Sequence, residues 1–398
     1  MGRILAFLLS VIVPCSSFGV ATSKYIKNES VIEDLCKSMI VSSSFDGKEL
    51  YFVPTKDNCK LTKRDVYCFN LDAGELENIT NTSDKLEYEV MVGEKYIAWF
   101  ESSRSDPDRV VFMNRTTKNK KYIVRDSLRI RNVSYALSGE YFLYRKFVSK
   151  DNMVSHELWA YNIEKESEMQ ISQTVPYTHP IEYISDGRMV FYSTTVNKKN
   201  GSDIFSFNLE TLEQKSVCTE VGAQKNLDLK GDILVWEDHR KGSWDSDIYG
   251  YRISEGLVFT IDTSRYCTYA PKISGNCVVY RAVYESPPDR KSTSYIYLAD
   301  TSSNPITPIK LSSSETPKDN LMIDGDFLLW VDYKRKNRPI LEEYTIWGYC
   351  VSDRIEFEAI SGKTSNNWLV DFKKGIFLWS DSEDLNYFDK IHINTIGR

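Results

Sequence analysis

One short pattern recurs eight times along this sequence, and the repeat limits the possible folds more than any other feature. In each copy a glycine leads into an apolar run rich in aromatic residues, as in LKGDILVWEDHRKGSWDSDIYGYRISEG from Leu229 to Gly256. The spacing of 44 to 50 residues is typical of architectures built from one recurring supersecondary unit. The glycines are Gly47, Gly93, Gly139, Gly187, Gly231, Gly275, Gly325 and Gly375.

Each copy also predicts the same set of strands. A second apolar run starts 14 to 20 residues after the glycine, as in DIYGYRI from Asp247. A third run often ends in Thr or Ser, and a fourth precedes the glycine. Four short antiparallel strands in a unit of about 45 residues match one blade of a propeller. We therefore predict an all-β chain, a β-propeller of four-stranded antiparallel blades with eight blades, and seven blades as the alternative.

The domain organisation follows from the two ends of the sequence. Arg3, the apolar run Ile4–Val13 and the small residues up to Ala21 predict a signal peptide over residues 1–21, with an uncleaved anchor as the alternative. Residues 22–398 form a single predicted propeller domain. Its last unit supplies three strands, so we expect an N-terminal strand near Thr22–Lys27 to pair with the last blade. No later segment is apolar enough to be a stable transmembrane segment.

Export has further expected consequences. The predicted location is outside the cell or on its surface, and six Asn-x-Ser/Thr sequons predict a glycoprotein in a host that glycosylates Asn. Removal of Cys15 leaves seven cysteines, so at least one lacks an intramolecular partner. The candidate local disulfides join Cys59 to Cys68 and Cys267 to Cys277, since each pair flanks a predicted hairpin loop. The sequons are Asn28, Asn78, Asn81, Asn114, Asn132 and Asn200.

The net charge bears on the class of partner. A formal charge of -6 and a pI near 5.5 argue against nucleic acid, because a protein that neutralises phosphates needs a basic surface. The expected partner is therefore a protein or a glycan. The sequence leaves the oligomeric state open.

The Gly231 copy resembles a known family. Its run ILVWEDHRKGSWDSDIYGYRI, and APKISGNCVVY in the next copy, are similar to the repeats of TolB-like propellers of the exported cell-surface type. The Gly93, Gly139 and Gly275 copies depart from that pattern, since they lack the Trp or the Asp of the second strand. The resemblance implies a propeller architecture and no particular activity, because such propellers serve several functions.

A search for catalytic motifs finds none. The four histidines are scattered over different repeats, no nucleophile elbow or phosphate loop is present, and no Cys-x-x-Cys spacing indicates zinc. We predict no catalytic residue, no metal site and no cofactor, and the question of an enzyme stays open with a preference for none. The recurring Asp65, Asp203, Asp247 and Asp389 are expected to satisfy loop amides. The recurring Trp99, Trp236, Trp330 and Trp379 are expected to pack between blades.

A recognition surface is the remaining hypothesis. In the loop from Glu237 to Asp247, Trp244 lies among charged residues, and an exposed Trp can anchor a protein or stack on a sugar. The predicted binding residues are Trp244, His239, Arg240 and Asp245. The predicted function is a non-catalytic binding module for protein or glycan. The alternative is a carbohydrate-active enzyme, a polysaccharide lyase or glycosidase, with carboxylates in the channel as catalysts.

Overall fold

A computed structural model gives the fold of this 398-residue chain. The structure describes residues 26–32, 40–54, 64–103, 105–124, 135–150, 153–172, 175–176, 181–195, 201–242, 245–263, 267–286, 291–335, 342–361, 366–382 and 391–397. The predicted signal peptide lies outside these ranges.

The described residues form 33 strands, and no helix occurs among them. They build eight antiparallel sheets, numbered here in chain order. Sheet 1 contains β2 (Ile40–Phe45), β3 (Glu49–Pro54), β4 (Tyr67–Asn70) and β5 (Glu75–Asn78). Sheet 2 contains β6 (Lys85–Val92), β7 (Tyr96–Ser103), β8 (Arg109–Asn114) and β9 (Lys120–Val124). Sheet 3 contains β10 (Tyr135–Ser138), β11 (Tyr141–Lys150), β12 (Met153–Asn162) and β13 (Ser167–Gln170), and β14 (Val175–Pro176) also pairs with β12.

The other sheets have the same order. Sheet 4 contains β15 (Glu182–Ser185), β16 (Met189–Thr194), β17 (Asp203–Asn208) and β18 (Gln214–Cys218). Sheet 5 contains β19 (Gln224–Lys230), β20 (Ile233–Asp238), β21 (Asp247–Arg252) and β22 (Leu257–Asp262). Sheet 6 contains β23 (Cys267–Ser274), β24 (Cys277–Ser286), β25 (Lys291–Asp300) and β26 (Ile309–Lys310). Sheet 7 contains β27 (Lys318–Asp324), β28 (Phe327–Arg335), β29 (Glu342–Cys350) and β30 (Ile355–Ile360). Sheet 8 contains β31 (Asn366–Lys373), β32 (Ile376–Ser382), β33 (Ile391–Ile396) and β1 (Ile26–Ile32).

This architecture is the β-propeller class with eight blades, as the repeat predicts. Each of the eight recurring glycines lies between the first and second strands of its sheet. Gly231, for example, lies in the turn that connects β19 to β20 and has a φ of 58°, a left-handed conformation that glycine adopts without the steric cost of a Cβ. The alternative of seven blades is wrong.

The chain divides into two compact units. Unit 1 comprises residues 1–92, 98–110 and 318–398, which include sheets 1, 7 and 8. Unit 2 comprises residues 93–97 and 111–317, which include sheets 3, 4, 5 and 6. Sheet 2 contributes residues to both.

Apolar second strands form the core of each unit. In unit 2 every residue of β20 is buried, and Trp236 packs with Phe191 and Ile204 of the preceding sheet. In unit 1 Trp379 packs with residues of sheet 7, including Leu329. Trp99, Trp236, Trp330 and Trp379 are all buried, in agreement with the packing role predicted for them. Strands buried on both faces explain why the runs after each glycine are almost continuously apolar.

The N-terminal strand completes sheet 8. β1 pairs antiparallel with β33, with Ile26 opposite Ile396 and Ile32 opposite Ile391. The strand begins later than the predicted segment, which it shares only at Ile26 and Lys27. The prediction that residues 22–398 form one domain stays a prediction.

One predicted disulfide is incompatible with the register of sheet 6. Cys267 lies opposite Val283, whereas Cys277 lies opposite Ser274 at the other end of the same hairpin. At ~3.3 Å per residue the two cysteines are about 23 Å apart along the strands, far beyond the reach of a disulfide. The predicted Cys267–Cys277 bridge is therefore wrong. Its counterpart involves Cys59, which lies outside the described residues.

No helix in the described ranges has the length and apolar character needed to cross a membrane.

Candidate functional site

The first strands of sheets 5, 6 and 7 share an irregular backbone. The pairing with the second strand shifts register between Lys225 and Asp228 in sheet 5, and at corresponding places in the other two sheets. One residue of each bulge has a left-handed φ: Asn226 at 56°, Ala270 at 50° and Asn320 at 51°. A bulge inserts an extra residue and redirects its neighbours, and bulges are frequent next to functional sites.

Carboxylates hold the bulges of unit 2 from the neighbouring sheet. Glu182 of β15 accepts hydrogen bonds from the backbone N–H of Asn226 at 2.7 Å and of Leu227 at 2.5 Å. Asp228 of β19 accepts the N–H of Ile273 of β23 at 2.8 Å. The two bonds to Glu182 satisfy amides that the bulge of sheet 5 removes from the regular ladder. The first strands of sheets 4, 5 and 6 are thus joined by side chains at each step.

Glu237 is the centre of this arrangement. Its side chain is fully buried, and Oε2 accepts hydrogen bonds from Asn226 Nδ2 at 2.6 Å and from the N–H of Ala270 at 3.3 Å. Oε1 lies 2.6 Å from His239 Nε2 and 3.3 Å from Lys225 Nζ. One carboxylate therefore binds side chains of its own sheet and the bulge of the next. We call Glu182, Lys225, Asn226, Asp228, Glu237 and Lys272 the bulge cluster.

Acid groups of the bulge cluster differ in their tendency to ionise. Burial raises the pKa of Glu182 and of Asp228, although backbone N–H donors partly oppose the rise. Burial also opposes the ionisation of Glu237, but the hydrogen bonds from His239 and Asn226 outweigh it, so its pKa is lowered. Glu237 is consequently the fixed negative charge of the cluster.

Two lysines give the cluster its solvent-facing donors. The side chain of Lys225 is 47% exposed, and that of Lys272 is 42% exposed, 4.0 Å from Asp228 Oδ1. Their ammonium groups can donate hydrogen bonds to carbonyl or carboxylate oxygens of a ligand. The cluster therefore combines buried acceptors, which fix the backbone, with partly exposed cationic donors.

Two of the predicted binding residues are engaged within the protein. His239 is buried beside Glu237, and its backbone carbonyl closely approaches Gly222, where a Cβ would lie 2.3 Å from the oxygen. Arg240 binds Asp238 through Nε at 2.9 Å and Nη2 at 2.8 Å, and its guanidinium lies 4.0 Å from the centre of the Tyr249 ring. Arg240 bonding to Asp238 raises the pKa of the guanidinium. Both side chains have structural partners.

The other two binding predictions lie differently. Asp245 is half-buried in the loop between β20 and β21. Trp244 lies outside the described residues. The structure brings His239 into contact with the bulge cluster and does not bring Arg240 there. Whether these four residues bind a ligand stays a prediction.

The three recurring aspartates that the structure describes have different environments, and Asp389 lies outside the described residues. Asp65 accepts hydrogen bonds from Thr82 N–H and from the Asn78 and Thr80 side chains, which confirms its predicted role. Asp247 binds Lys241 at 2.9 Å. Asp203 is buried and has no hydrogen bond among the described residues, and burial alone raises its pKa.

In the described part of the chain no group of three or more His, Cys, Asp or Glu side chains has the arrangement of a metal site. The bulge cluster itself offers carboxylates that are already bonded to amides, and ammonium groups repel a cation. Its chemistry fits an anionic or polar ligand better than a metal ion.

Sequence patterns only weakly indicate the bulge cluster. Polar residues do interrupt the apolar pattern before the glycine, at Glu182, Asn226 and Asp228. That interruption is a weak signal, because a solvent-facing strand residue produces the same pattern. The left-handed bulge itself has no sequence signature, since Asn, Ala and Asn occupy the equivalent positions.

Comparison with known proteins finds similarity in structure alone. Neither a protein-family model nor a curated protein matches this sequence. A structure from a study of two prolyl endopeptidases, which concerns inter-domain dynamics in catalysis and specificity, is 11% identical with a TM-score of 0.56. It matches 87% of this chain and 55% of its own.

Two further structures are similar to this chain. An acylaminoacyl peptidase in complex with Z-Gly-Gly-Phe-chloromethyl ketone is 14% identical with a TM-score of 0.51, over 87% of this chain and 58% of that one. The β-propeller domain of the Trilobed protease from Pyrococcus furiosus is 13% identical with a TM-score of 0.49, over 82% of this chain and 99% of that domain. This chain thus spans little more than half the length of the two complete peptidases.

These comparisons correct the predicted function. The two structures described above with TM-scores over 0.5 come from peptidases, which contradicts a non-catalytic binding module for protein or glycan and gives no support to its carbohydrate-active alternative. Identities of 11% and 14% establish the fold alone. The propeller class is confirmed, and the narrower TolB-like resemblance stays a prediction.

Proposed function

We propose that this chain is a peptidase-associated propeller, which holds peptides for hydrolysis by a peptidase catalytic unit. The observation that carries the proposal is the fold shared with a prolyl endopeptidase and an acylaminoacyl peptidase over 87% of this chain. Because this chain spans only 55% and 58% of those two proteins, the activity of the whole peptidases is itself part of the proposal.

The chemistry of the bulge cluster supports a peptide as the ligand. A peptide backbone offers a carbonyl acceptor at every residue, and the lysines on the first strands of sheets 5 and 6 can donate hydrogen bonds to such carbonyls. Lys225 and Lys272 are partly exposed donors, and the carboxylates of Glu182 and Asp228 hold the strands that carry them. Pre-formed polar groups bind with less loss of conformational entropy than flexible ones.

The cellular setting of this function is also proposed. We infer export from the N-terminal segment, a location outside the cell or on its surface, and membership of the TolB-like group of propellers. A peptidase catalytic unit would then be the protein partner.

The proposal is tested with peptides whose ends are both blocked, so that terminal charges do not contribute. The full chain, isolated from cells that produce it, is titrated with fluorescent N-acetylated and C-amidated peptides, and cleavage of the same peptides is followed by mass spectrometry. We expect saturable peptide binding, with hydrolysis that is lost when the tagged chain is removed from the preparation.

A charge-reversal variant makes this test specific to the bulge cluster. Lys225→Glu should weaken peptide binding, whereas Lys230→Glu is the matched control on the same strand, at the exposed hairpin. Absence of both peptide binding and hydrolysis from the full chain would refute the proposal. Equal effects of the two variants would leave a peptidase propeller but place its peptide elsewhere.

A further inference from the structure

A buried arginine lies between sheets 3 and 4 without the partners that surround Glu237 in sheet 5. Arg145 of β11 is 8% exposed, and its Nε is buried without an acceptor. No described residue forms a hydrogen bond or an ion pair with it. A buried charge is costly unless it is paired, so an unpaired guanidinium requires an explanation.

The repeat identifies the equivalent residues. Arg145 lies six residues after Gly139, and the same offset gives Ser193, Glu237 and Arg281 in sheets 4, 5 and 6. Ser193 Oγ donates to the carbonyl of Gln224, and Glu237 binds four groups around it. Arg281 lies with its guanidinium 6.0 Å from the centre of the Tyr269 ring. The four residues occupy equivalent positions of the second strand, and they differ in the partners of their side chains.

The surroundings of Arg145 are polar but contain no described carboxylate that pairs with it. The side chain shares its face of the sheet with Leu143, which packs against sheet 4, and Tyr183 of sheet 4 donates its hydroxyl to the Leu143 carbonyl at 3.4 Å. Burial lowers the pKa of Arg145, and the phenols of Tyr183 and Tyr135 favour its charged form. The charge of Arg145 in turn adds to the effect of burial in lowering the pKa of His156. The positive charge of Arg145 therefore affects the pKa of His156, and no described carboxylate neutralises it.

We propose that Arg145 binds a carboxylate of the peptide that the propeller holds. A guanidinium presents parallel N–H donors that match the two oxygens of a carboxylate, and the bond is strong in a site with little water. The inference rests on the proposed function, which supplies the peptide. The peptide's carboxylate comes from its C-terminus or from an Asp or Glu side chain.

The first arm of the test requires no variant. Binding of one peptide to the full chain is measured by fluorescence anisotropy in three forms: with a free C-terminus, with an amidated C-terminus, and amidated with an internal Glu. We expect at least one carboxylate form to bind about tenfold more tightly than the amidated form without Glu, the effect of one charged hydrogen-bonded contact. Preference for the free C-terminus or for the internal Glu identifies the source.

The second arm assigns the effect to Arg145. Arg145→Gln should abolish the preference for a carboxylate, and Arg145→Lys should restore part of it. Arg281→Gln is the matched control, because it makes the same change at the equivalent position of sheet 6, and it should retain the preference.

The outcomes separate this inference from the proposed function. Equal binding of all three peptide forms would overturn the carboxylate site and leave the propeller as a peptide holder. A preference that survives Arg145→Gln would overturn the assignment to Arg145. Failure of every peptide to bind would overturn both proposals.

Discussion

The boundary between sheets 5 and 6 and the boundary between sheets 3 and 4 present opposite solutions to one problem. Each has a charged residue at the same position of its second strand, Glu237 in the first case and Arg145 in the second. Glu237 is surrounded by an amide N–H, an amide side chain, a histidine and a lysine, whereas Arg145 has no described hydrogen-bond partner. Burial of a charge therefore does not by itself distinguish a structural residue from a binding residue. These two residues differ in the number of their partners.

The largest expected effect comes from removal of the satisfied charge. Glu237→Ala leaves His239, Asn226 and Lys225 without their common acceptor, so we expect the free energy of unfolding to fall by about 3–5 kcal/mol. Urea unfolding of the full chain measures it. Glu213→Ala is the control, since Glu213 is exposed beside Lys215 and should change stability by about 0.5 kcal/mol or less. Similar losses in the two variants would contradict the central role of Glu237.

A second buried glutamate sharpens the comparison through pH. Glu87 of β6 is fully buried, and its Oε2 has no hydrogen-bond partner in the described structure. Burial raises its pKa to about 7, with the charges of Asp65 and Glu101 adding to the effect and the bond from Thr82 opposing it. Glu237, equally buried, has a lowered pKa because its oxygens are occupied. The same residue type thus responds in opposite directions to the presence and absence of donors.

The sign of the pH effect follows from proton uptake. Between the ordinary pKa of an unfolded Glu and about 7, the folded chain holds the Glu87 proton more tightly than the unfolded chain does. Stability from this group therefore falls as pH rises through that window, by about 3 kcal/mol in total. Glu87→Gln should remove this fall, so its unfolding free energy relative to the native chain should increase with pH. Parallel pH profiles for the two proteins would contradict the raised pKa.

The unsatisfied arginine should respond in the other direction. Arg145→Met replaces an unpaired buried charge with an apolar side chain of similar length, and we expect stability to rise by about 1 kcal/mol. Arg281→Met, the control in sheet 6, removes a cation that contacts Tyr269 and should not stabilise. Thermal unfolding compares the two. A loss of stability in Arg145→Met would show that Arg145 has a structural role.

The smallest expected effect concerns the bulges. Ala270 has a left-handed φ, which is unfavourable for a residue with a Cβ, so Ala270→Gly should stabilise the folded chain. The greater flexibility of glycine in the unfolded chain cancels part of this gain. The net gain is about 0.5 kcal/mol. Ala299→Gly, in the buried strand β25, should instead lose stability. Equal losses at both positions would mean that the bulge at Ala270 is not strained.

The sequence predicts the fold correctly in the parts where the backbone repeats. Glycine at each hairpin and the apolar run after it predict the eight sheets, because a tight turn and a strand buried on both faces each require particular residue types. Trp236 and Asp65 have their predicted roles for the same reason. The prediction followed local rules that every copy must obey.

Prediction was weak where copies differ. His239 and Arg240 stand out in the sequence as charged loop residues beside a Trp, yet both are bound to neighbouring carboxylates, Glu237 and Asp238. Arg145 gave no signal, because its distinguishing property is the absence of a partner from another sheet. Such a property depends on residues far away in the sequence. The predicted class of function was wrong for a similar reason, because the similarity to peptidases is one of fold at 11% identity and no sequence motif reveals it.

The pairing of β1 with β33 bears on the order of events during synthesis. Residues 26 and 396 are partners, so sheet 8 cannot acquire its fourth strand until nearly the whole described chain has left the ribosome. Contacts this distant in sequence slow folding, because a long loop must close before they stabilise anything. Until then the backbone N–H and C=O groups of β1 are unpaired, so they can form hydrogen bonds with non-native strands or with chaperones. Closure of sheet 8 by its N-terminal strand is therefore one of the last steps in the folding of this chain.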